Sequence, residues 1–499
     1  MLSNRMSASW LMVALAVFSL AAARPAVPLI EAVKGGNREA LRDLLRRNHD
    51  VNAPQIDGTT ALHWAVNRDD VEAVELLIRA GADVNVQNRY GVAPLTLACV
   101  NGNAVITDKL LKSGANPNTV QPSGETALMT AARTGHAGVV KALLARGADV
   151  NAREARRQQT ALMWAAAENN AAAAQALIDA GADIHARSRS TGALSVQEPG
   201  DRSFTALLFA IQGGAIDAAQ TLLSAGADVN ETLPDGTGGL VLAIANAQFD
   251  TAAFLLDQRA NPNASEQGWT ALHQLIWNRR PNQGLNQVFP VLRGQVDSMD
   301  LVKKLLAHGA DINARVTKEP NALWVGRATM SRIGATPFFL ASHKFDVDLM
   351  RLLLASGADP HVGNKENTTP LMVAAGLGVN SLGENPGTVD EIAEAVKLCL
   401  EVGGGDVNAV NAKGETALHG AAYTDSTGAV KLLLAANARL DVADSKGWTP
   451  LRVASGVPLN AAIKAAPAVA AQLRQVMLDR GLSISAEEQS TTSSVSKQK

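Results

Sequence analysis

The chain is poor in the residues that build a large single core or a disulfide framework. Aromatic residues make up 4% of its 499 residues, and only two cysteines, Cys99 and Cys399, are present. So few aromatic side chains disfavour a thick core around a large pocket. Two cysteines cannot supply the several cross-links that stabilise small secreted domains. The many alanine, leucine and glycine residues instead favour thin helices that pack closely.

An excess of charge of one sign is also missing. The formal net charge is -2 and the sequence pI is about 6.5, which gives no overall attraction to nucleic acid or to an anionic membrane. The sequence contains no phosphate-binding loop, no GxSxG, HExxH or paired CxxC motif, and no calcium-loop pattern. We therefore expect no catalytic residue, no cofactor, no bound metal and no nucleic-acid partner.

The first 23 residues differ from the rest. Arg5 and the amino terminus carry positive charge, residues 10–20 are apolar except for Ser19, and alanines occupy positions 21–23. This arrangement is typical of a secretory signal peptide, here cleaved after Ala23. The apolar run is shorter than the ~18 residues of a membrane span, and an uncleaved amino-terminal anchor is the alternative. We expect a periplasmic or secreted protein without stable membrane insertion after cleavage.

A short signature recurs along the chain. It reads GADVN at residues 81–85, 147–151 and 226–230, with variants such as GANPN, GADIN and GGDVN elsewhere. Its glycine or the replacement lies at 48, 81, 114, 147, 181, 226, 259, 309, 357, 404, 437 and 481. Five of the eleven steps are 33 residues, and a fixed period of this length indicates a stacked array. Cys99 and Cys399 lie seven repeats apart, so we expect two buried core thiols and no disulfide.

Residues 122–154 show how one unit is built. The Thr126 hydroxyl can cap a first helix. A second helix is predicted from an apolar stripe formed by Val139, Val140, Leu143 and Leu144. Gly147 can end that helix with a positive φ, and Asp149 and Asn151 can then satisfy backbone groups locally. The unit is therefore helix–turn–helix–loop, and it must stack on its neighbours to bury its apolar face.

This unit resembles the ankyrin repeat. The family's signature is visible as GTTALHWA at 58–65, GETALMTAA at 124–132, GWTALH at 268–273, GETALHGAA at 414–422 and GWTPL at 447–451. The resemblance covers residues 26 to about 481. It implies an all-α repeat solenoid, with stacked helix–turn–helix ankyrin repeats, β-hairpin-like loops and overall curvature. It also implies that threonine and histidine hydrogen-bond within and between loops, in the pairs Thr60 with His63, Thr270 with His273 and Thr416 with His419.

The period and the resemblance together predict a domain organisation. A capping repeat at 24–54 follows the signal peptide at 1–23, and about ten repeats occupy 55–445. A carboxy-terminal capping repeat at 446–481 precedes a polar tail, 482–499, that is expected to be disordered. Long steps place insertions near 187–202, 277–298, 316–334 and 376–391.

Three consecutive repeats carry the last three of these insertions. Loop insertions are tolerated at little free energy, so their clustering indicates a selected surface. Segment 267–333 has nine Lys or Arg residues against four acids and three of the six tryptophans after residue 23, whereas segment 365–411 has two Lys against seven acids. Tryptophan and arginine are the usual composition of interface hot spots. We predict a partner-binding surface at Trp269, Trp277, Arg279, Arg280, Phe289, Arg293, Trp324, Arg327, Trp448 and Tyr90.

The alternative is private packing. Trp277 could pack with Phe289, Val291 and Leu292 beneath its loop, while neighbouring opposite charges pair inside the solenoid. These two interpretations of the segment remain open at this point.

The expected function is an exported, non-enzymatic scaffold that binds an unknown protein partner through the concave face and the inserted loops. We expect a monomer. One alternative is a carbohydrate or envelope-polymer binder that uses exposed Trp269, Trp277 and Trp324 as stacking faces. An enzyme with a site in the insertions at 277–334 is a second alternative, and a purely structural spacer is a third.

Overall fold

The computed structural model describes residues 27–189, 203–280, 294–319, 330–379, 387–403, 405–459 and 462–485. These residues form 24 helices and one short β-hairpin. The helices follow one another in pairs, so the predicted all-α repeat fold is confirmed. The predicted signal peptide and the chain after residue 485 lie outside the described residues.

The chain divides into two compact units. The first comprises Met1–Arg189, Thr205–Leu207 and Asp217–Ala225, and the second comprises Ser190–Phe204, Leu208–Ile216 and Gly226–Lys499. The helices of the first unit are α1 (Pro28–Lys34), α2 (Arg38–Arg46), α3 (Ala61–Asn67), α4 (Val71–Arg79), α5 (Pro94–Asn101), α6 (Ala104–Lys112), α7 (Ala127–Thr134), α8 (Ala137–Leu144), α9 (Ala161–Ala167) and α10 (Ala171–Asp179). Helices α11 (Ala206–Gly213) and α12 (Ile216–Ser224) contribute residues to both units.

The second unit begins its helix pairs after residue 226. Its helices are α13 (Gly239–Ala245), α14 (Phe249–Asp257), α15 (Ala271–Arg279), α16 (Ser298–Ala307), α17 (Pro337–His343), α18 (Val347–Ala355), α19 (Pro370–Ala374), α20 (Val389–Glu401), α21 (Ala417–Thr424), α22 (Thr427–Ala435), α23 (Pro450–Ser455) and α24 (Pro467–Asp479). Strands β1 (Val457–Leu459) and β2 (Ala462–Lys464) form an antiparallel hairpin inside the last repeat, which the sequence did not predict.

Within each unit, equivalent helices of successive repeats pack side by side. In the first unit α1, α3, α5, α7 and α9 form one row, and α2, α4, α6, α8 and α10 form the other. In the second unit α13, α15, α17, α19, α21 and α23 form a row of the same kind. The apolar stripe of each helix is therefore buried between its neighbours, because a single pair has no core of its own.

The cap chemistry follows the sequence signature. Thr126 accepts a hydrogen bond from Met129 N at 3.2 Å, which satisfies one of the free N–H groups at the start of α7. Several second helices begin with Asp or Asn in the same role, as Asp70 does for α4 by accepting from Ala73 N at 3.1 Å. Gly147 ends its repeat at φ 83°, as its position predicts.

The asparagine of the GADVN signature joins one repeat to the next. Asn85 Nδ2 donates to Gly114 O at 2.9 Å, and Asn85 Oδ1 accepts from Asn116 N at 2.8 Å. Asn118 repeats the arrangement with Gly147 and Asp149. The prediction that this asparagine acts locally is therefore wrong, whereas the preceding aspartate does act locally, since Asp83 Oδ1 accepts from Asn85 N.

The predicted threonine–histidine pairs are also present. His63 Nδ1 lies 2.9 Å from Thr60 Oγ1, and its other ring nitrogen lies 2.9 Å from Val92 O in the next repeat. His419 makes the same two contacts with Thr416 and Trp448 O. These histidines are structural groups that connect neighbouring hairpin loops.

Candidate functional site

Trp269 and Trp277 are buried, with 1% and 6% of their surfaces exposed. The prediction that these two tryptophans are exposed is therefore wrong. Trp269 is enclosed because the next loop lies against its hairpin, where Thr317 N donates to Gly268 O at 2.8 Å. Trp277 is enclosed because α15 packs directly on α17, although α16 and two insertions separate these helices in sequence.

Trp277 is surrounded by aromatic and cationic side chains from the next repeat. Its ring stacks on that of His343, with 6.1 Å between centroids and 9° between planes. Lys344 Nζ lies 3.9 Å from the indole centroid, and Arg332 Cζ lies 4.9 Å from it. On its other side, Trp277 lies 6.3 Å from Trp269.

Trp269 in turn stacks on His273 at 6.5 Å between ring centroids. We call Trp269, His273, Trp277, Arg332, His343 and Lys344 the Trp277 cluster. Cation–π attraction strengthens when the cation is shielded from water, and all six side chains of this cluster are buried.

Burial sets the protonation of the cluster. Burial, with a smaller contribution from the positive charge of Arg332, lowers the pKa of Lys344 to about 7. Burial lowers the pKa of His343 to about 3 and that of His273 to about 4, because charging a ring away from water is unfavourable. Both histidines are therefore neutral at pH 7. Burial also lowers the pKa of Arg332, and the neighbouring Glu319 carboxylate opposes this effect.

Arg279 and Arg280 form ion pairs inside the second unit. Arg279 Nε donates to Asp346 at 2.8 Å, and the Asp346 side chain is 3% exposed. Arg280 Nη2 donates to Glu391 at 2.6 Å and its Nη1 donates to Phe345 O at 3.0 Å. These contacts support the private-packing interpretation for both arginines. They fix the end of α15 to the starts of α18 and α20.

The described ends of the three insertions in this unit converge on one region. Arg280 precedes residues 281–293 and contacts Phe345, while Glu319 and Arg332 pair across residues 320–329. Gly378, just before residues 380–386, packs closely against Met330 and His343. A Cβ added at this glycine would lie 3.0 Å from Met330 Sδ and 3.2 Å from His343 Nε2.

Two ends of the insertions remain to be described. A Cβ on Gly387 would overlap the Phe345 ring. The sixth end differs, because Gln295 and Val296 donate instead to Asp250 of α14. Four of the six ends therefore contact residues 330–346, and a fifth, Met330, belongs to that segment, next to the Trp277 cluster.

The other predicted site residues fall into two groups. Tyr90 is 58% exposed, and the guanidinium of Arg89 lies 4.8 Å from its ring centroid. Trp448 is half-buried, with Lys446 Nζ 4.4 Å from its ring centroid. Phe289, Arg293, Trp324 and Arg327 lie outside the described residues, so the proposed packing of Trp277 on Phe289, Val291 and Leu292 does too.

Sequence reasoning missed His343 and Lys344. A usable signal was present, because Trp277 and His343 are each the seventh residue of the first helix of consecutive repeats, α15 and α17. Equivalent positions of adjacent repeats face each other in a stacked array.

The chemistry available to the described residues is limited. Cys99 and Cys399 are buried free thiols, as predicted, and burial raises the pKa of each to about 12. Nowhere in the described ranges do three His, Cys, Asp or Glu side chains gather as metal ligands could. No helix in this part of the chain combines the length and apolar character needed to cross a bilayer.

Comparison with known families agrees with this architecture. Residues 29–121, 106–188, 207–283 and 389–462 match the family described as "Ankyrin repeats (3 copies)", and residues 333–365 match "Ankyrin repeat". The chain belongs to the ankyrin repeat family. Ankyrin repeats are scaffolds for protein–protein interaction and are generally non-enzymatic, and this is the class of protein that the fold defines.

Two relatives illustrate the similarity. Ankyrin repeat and SOCS box protein 16 of Homo sapiens is 32% identical over 244 residues, or 43% of this chain and 46% of that protein. Putative ankyrin repeat protein FPV240 of Fowlpox virus (strain NVSL) is 35% identical over 139 residues, or 25% of this chain and 30% of that protein. The chain spans less than half the length of either relative.

Proposed function

We propose that this protein is an exported interaction scaffold whose protein partner binds the concave face together with the insertions of the second unit. The observation that carries the proposal is the convergence of five insertion ends beside the Trp277 cluster. Segments that leave a rigid base at one place can be presented together, and a preorganised surface loses little conformational entropy on binding.

The Trp277 cluster and the two ion pairs act as that base. Arg279 and Arg280 connect α15 to the two following repeats, and the stacked Trp277 and His343 rings fix α15 against α17. The contact with the partner is then made by the inserted residues and not by the buried tryptophans. The carbohydrate-binding alternative loses two of its three stacking faces, since Trp269 and Trp277 are buried.

Deleting residues 281–293 and 320–329 together is expected to abolish recovery of the partner in affinity purification from an envelope extract. A control deletes residues 190–202, an insertion as long as 281–293, whose described neighbours are Arg189 and Ser203. Circular dichroism should show that both variants remain folded and helical. Equal recovery of the partner by the wild type and the double deletion would place the binding site elsewhere.

Export is the second part of the proposal. Arg5, the apolar run at 10–20 and the alanines at 21–23 support cleavage after Ala23. Amino-terminal sequencing of the protein isolated from the periplasm or medium should begin at Arg24. A protein that retains Met1, or that stays in the cytoplasmic fraction, would contradict export through a cleaved signal.

A further inference from the structure

Four exposed arginines lie on two adjacent hairpin loops of the first unit. Arg153, Arg156 and Arg157 belong to the loop between α8 and α9, and Arg189 belongs to the loop after α10. The two loops are joined, because Arg153 Nη1 donates to Arg187 O at 2.9 Å and Arg189 N donates to Arg157 O at 2.6 Å. We call these four residues the arginine patch.

The arginine patch has no acidic partner in the described part of the chain. None of its four guanidinium groups forms an ion pair there, although many other exposed arginines of this unit do, such as Arg38 and Arg146. The acids that the structure describes in the same two loops, Asp149, Glu154 and Asp183, are otherwise engaged. Asp149 and Asp183 hold the turns after α8 and α10 by accepting from Asn151 N and His185 N.

Glu154 is the remaining acid among the described residues of these two loops, and it orders the hairpin from its buried side. It is 6% exposed, and its carboxylate accepts from Arg156 N at 2.7 Å, from Arg157 N and from Gln159 N at 3.3 Å. The carboxylate is therefore directed at the backbone and not at the guanidinium groups. The side chains of Arg156 and Arg157 stay in solvent while their backbone is fixed.

This hairpin is one residue longer than the three that precede it in the chain. It closes with Glu154 N donating to Gln159 O, five residues on, whereas Gln55, Asn88 and Gln121 each close on a carbonyl four residues on. The extra residue lets the loop present two consecutive arginines. Gln158 takes φ 56° at the position where the other three hairpins have Gly58, Gly91 and Gly124, a conformation that a side chain disfavours.

We propose that the arginine patch docks an acidic segment of a partner protein. Guanidinium groups pair with carboxylates through two parallel hydrogen bonds, and a fixed array of them binds a carboxylate-rich peptide with little loss of entropy. A protein segment fits better than nucleic acid, because the chain has net charge -2 and the patch contains no aromatic ring on which a base could stack. This surface is independent of the insertions in the second unit.

The test uses a fluorescein-labelled deca-glutamate peptide and fluorescence anisotropy at low salt. The variant R153Q/R156Q/R157Q/R189Q is expected to raise the dissociation constant about tenfold, as four solvent-exposed charge pairs of ordinary strength would. The control R46Q/R68Q/K141Q/R480Q removes the same number of positive charges from exposed sites elsewhere. It should bind the peptide as the wild type does.

The variant Glu154→Gln distinguishes an ordered binding site from nonspecific electrostatic attraction. This substitution leaves the four arginines in place and makes the loop more positive, so simple electrostatic attraction would strengthen peptide binding. Loss of the order that Glu154 imposes is expected to weaken it, by about threefold.

The proposal is overturned if the wild type shows no saturable peptide binding, or if the control loses as much affinity as the patch variant. Tighter binding of a ten-residue thymidine oligonucleotide, or tighter peptide binding by Glu154→Gln, would overturn it as well. Deleting residues 281–293 and 320–329 leaves the arginine patch intact. A failure of the patch proposal can therefore be distinguished from a failure of the proposed insertion site.

Discussion

Replacing Trp277 by alanine is expected to lower the free energy of unfolding by about 3–5 kcal/mol, as other buried tryptophan truncations do. The indole fills the space between α15 and α17 and provides the face that His343, Lys344 and Arg332 contact. Its loss therefore leaves a cavity and also removes the aromatic neighbour of two buried cations. Urea denaturation followed by far-ultraviolet circular dichroism measures the change.

Two comparison variants make this result specific. Trp277→Phe keeps an aromatic face and is expected to lose less than half as much stability. Trp448→Ala removes a half-buried tryptophan that also contacts a lysine, Lys446, and is expected to change the free energy of unfolding by about 1 kcal/mol or less. Equal effects at positions 277 and 448 would show that the buried cluster does not hold the second unit together.

Lowering the pH from 6.5 towards 4 is expected to destabilise the protein through its buried histidines. In the unfolded chain His343 takes up a proton near its ordinary pKa of 6.5, whereas burial lowers the pKa in the folded protein to about 3. The unfolded state therefore binds more protons in this window, and stability falls as the pH falls. His273, with a folded pKa of about 4, acts in the same direction.

His343→Phe tests this effect at one site. Phenylalanine can keep the stack on Trp277, and His343 Nδ1 has no hydrogen-bond partner among the described residues. The substitution removes one contact, the 3.4 Å approach of His343 Nε2 to Gly378 O, at every pH. We compare the free energy of unfolding of the variant with that of the wild type. This difference is expected to shift by about 2–3 kcal/mol in favour of the variant between pH 7.5 and pH 4.5.

The titration of Lys344 does not obscure the comparison between the wild type and His343→Phe. Its folded pKa of about 7 lies below its ordinary value of 10.5, so its contribution to stability changes mainly above pH 7. Both proteins contain Lys344, and its contribution near pH 7.5 therefore cancels in the difference between them. Parallel stability curves for the wild type and His343→Phe from pH 7.5 to 4.5 would contradict the neutral, buried state of His343.

The fold could be predicted from the sequence because its determinants are local and repeated. A capping threonine, a left-handed glycine and an apolar stripe recur with a period of 33 residues, and each determines its own turn or helix end. Thr60 and His63 are three residues apart, so their hydrogen bond follows from the helix start itself. Many copies of one pattern make such a prediction secure.

The site was only partly predictable because its contacts cross the insertions. Arg279 pairs with Asp346 and Arg280 pairs with Glu391, 67 and 111 residues further along the chain. Once the period is broken by insertions, sequence spacing no longer tells which helices are neighbours. The composition of segment 267–333 drew attention to this region, but tryptophan and arginine are favoured both in interfaces and in buried cation–π contacts.

The burial of Trp269 and Trp277 distinguishes private packing from an exposed binding surface at these two residues. Trp269 follows the loop glycine Gly268, and the adjacent loop covers its side chain. Aligning each first helix by its capping threonine would have placed Trp277 opposite His343, whereas the partners of the two arginines required the three-dimensional structure.

The central claim is that the three insertions of the second unit act as one binding surface on a shared base. Its most direct test is the dissociation constant of the purified partner for variants that lack residues 281–293, 320–329 or 380–386, singly and in pairs. If the segments contact one partner together, each single deletion weakens binding, and the pairs show changes in binding free energy that do not add. Strictly additive changes, or deletions of which only one affects binding, would contradict a shared surface.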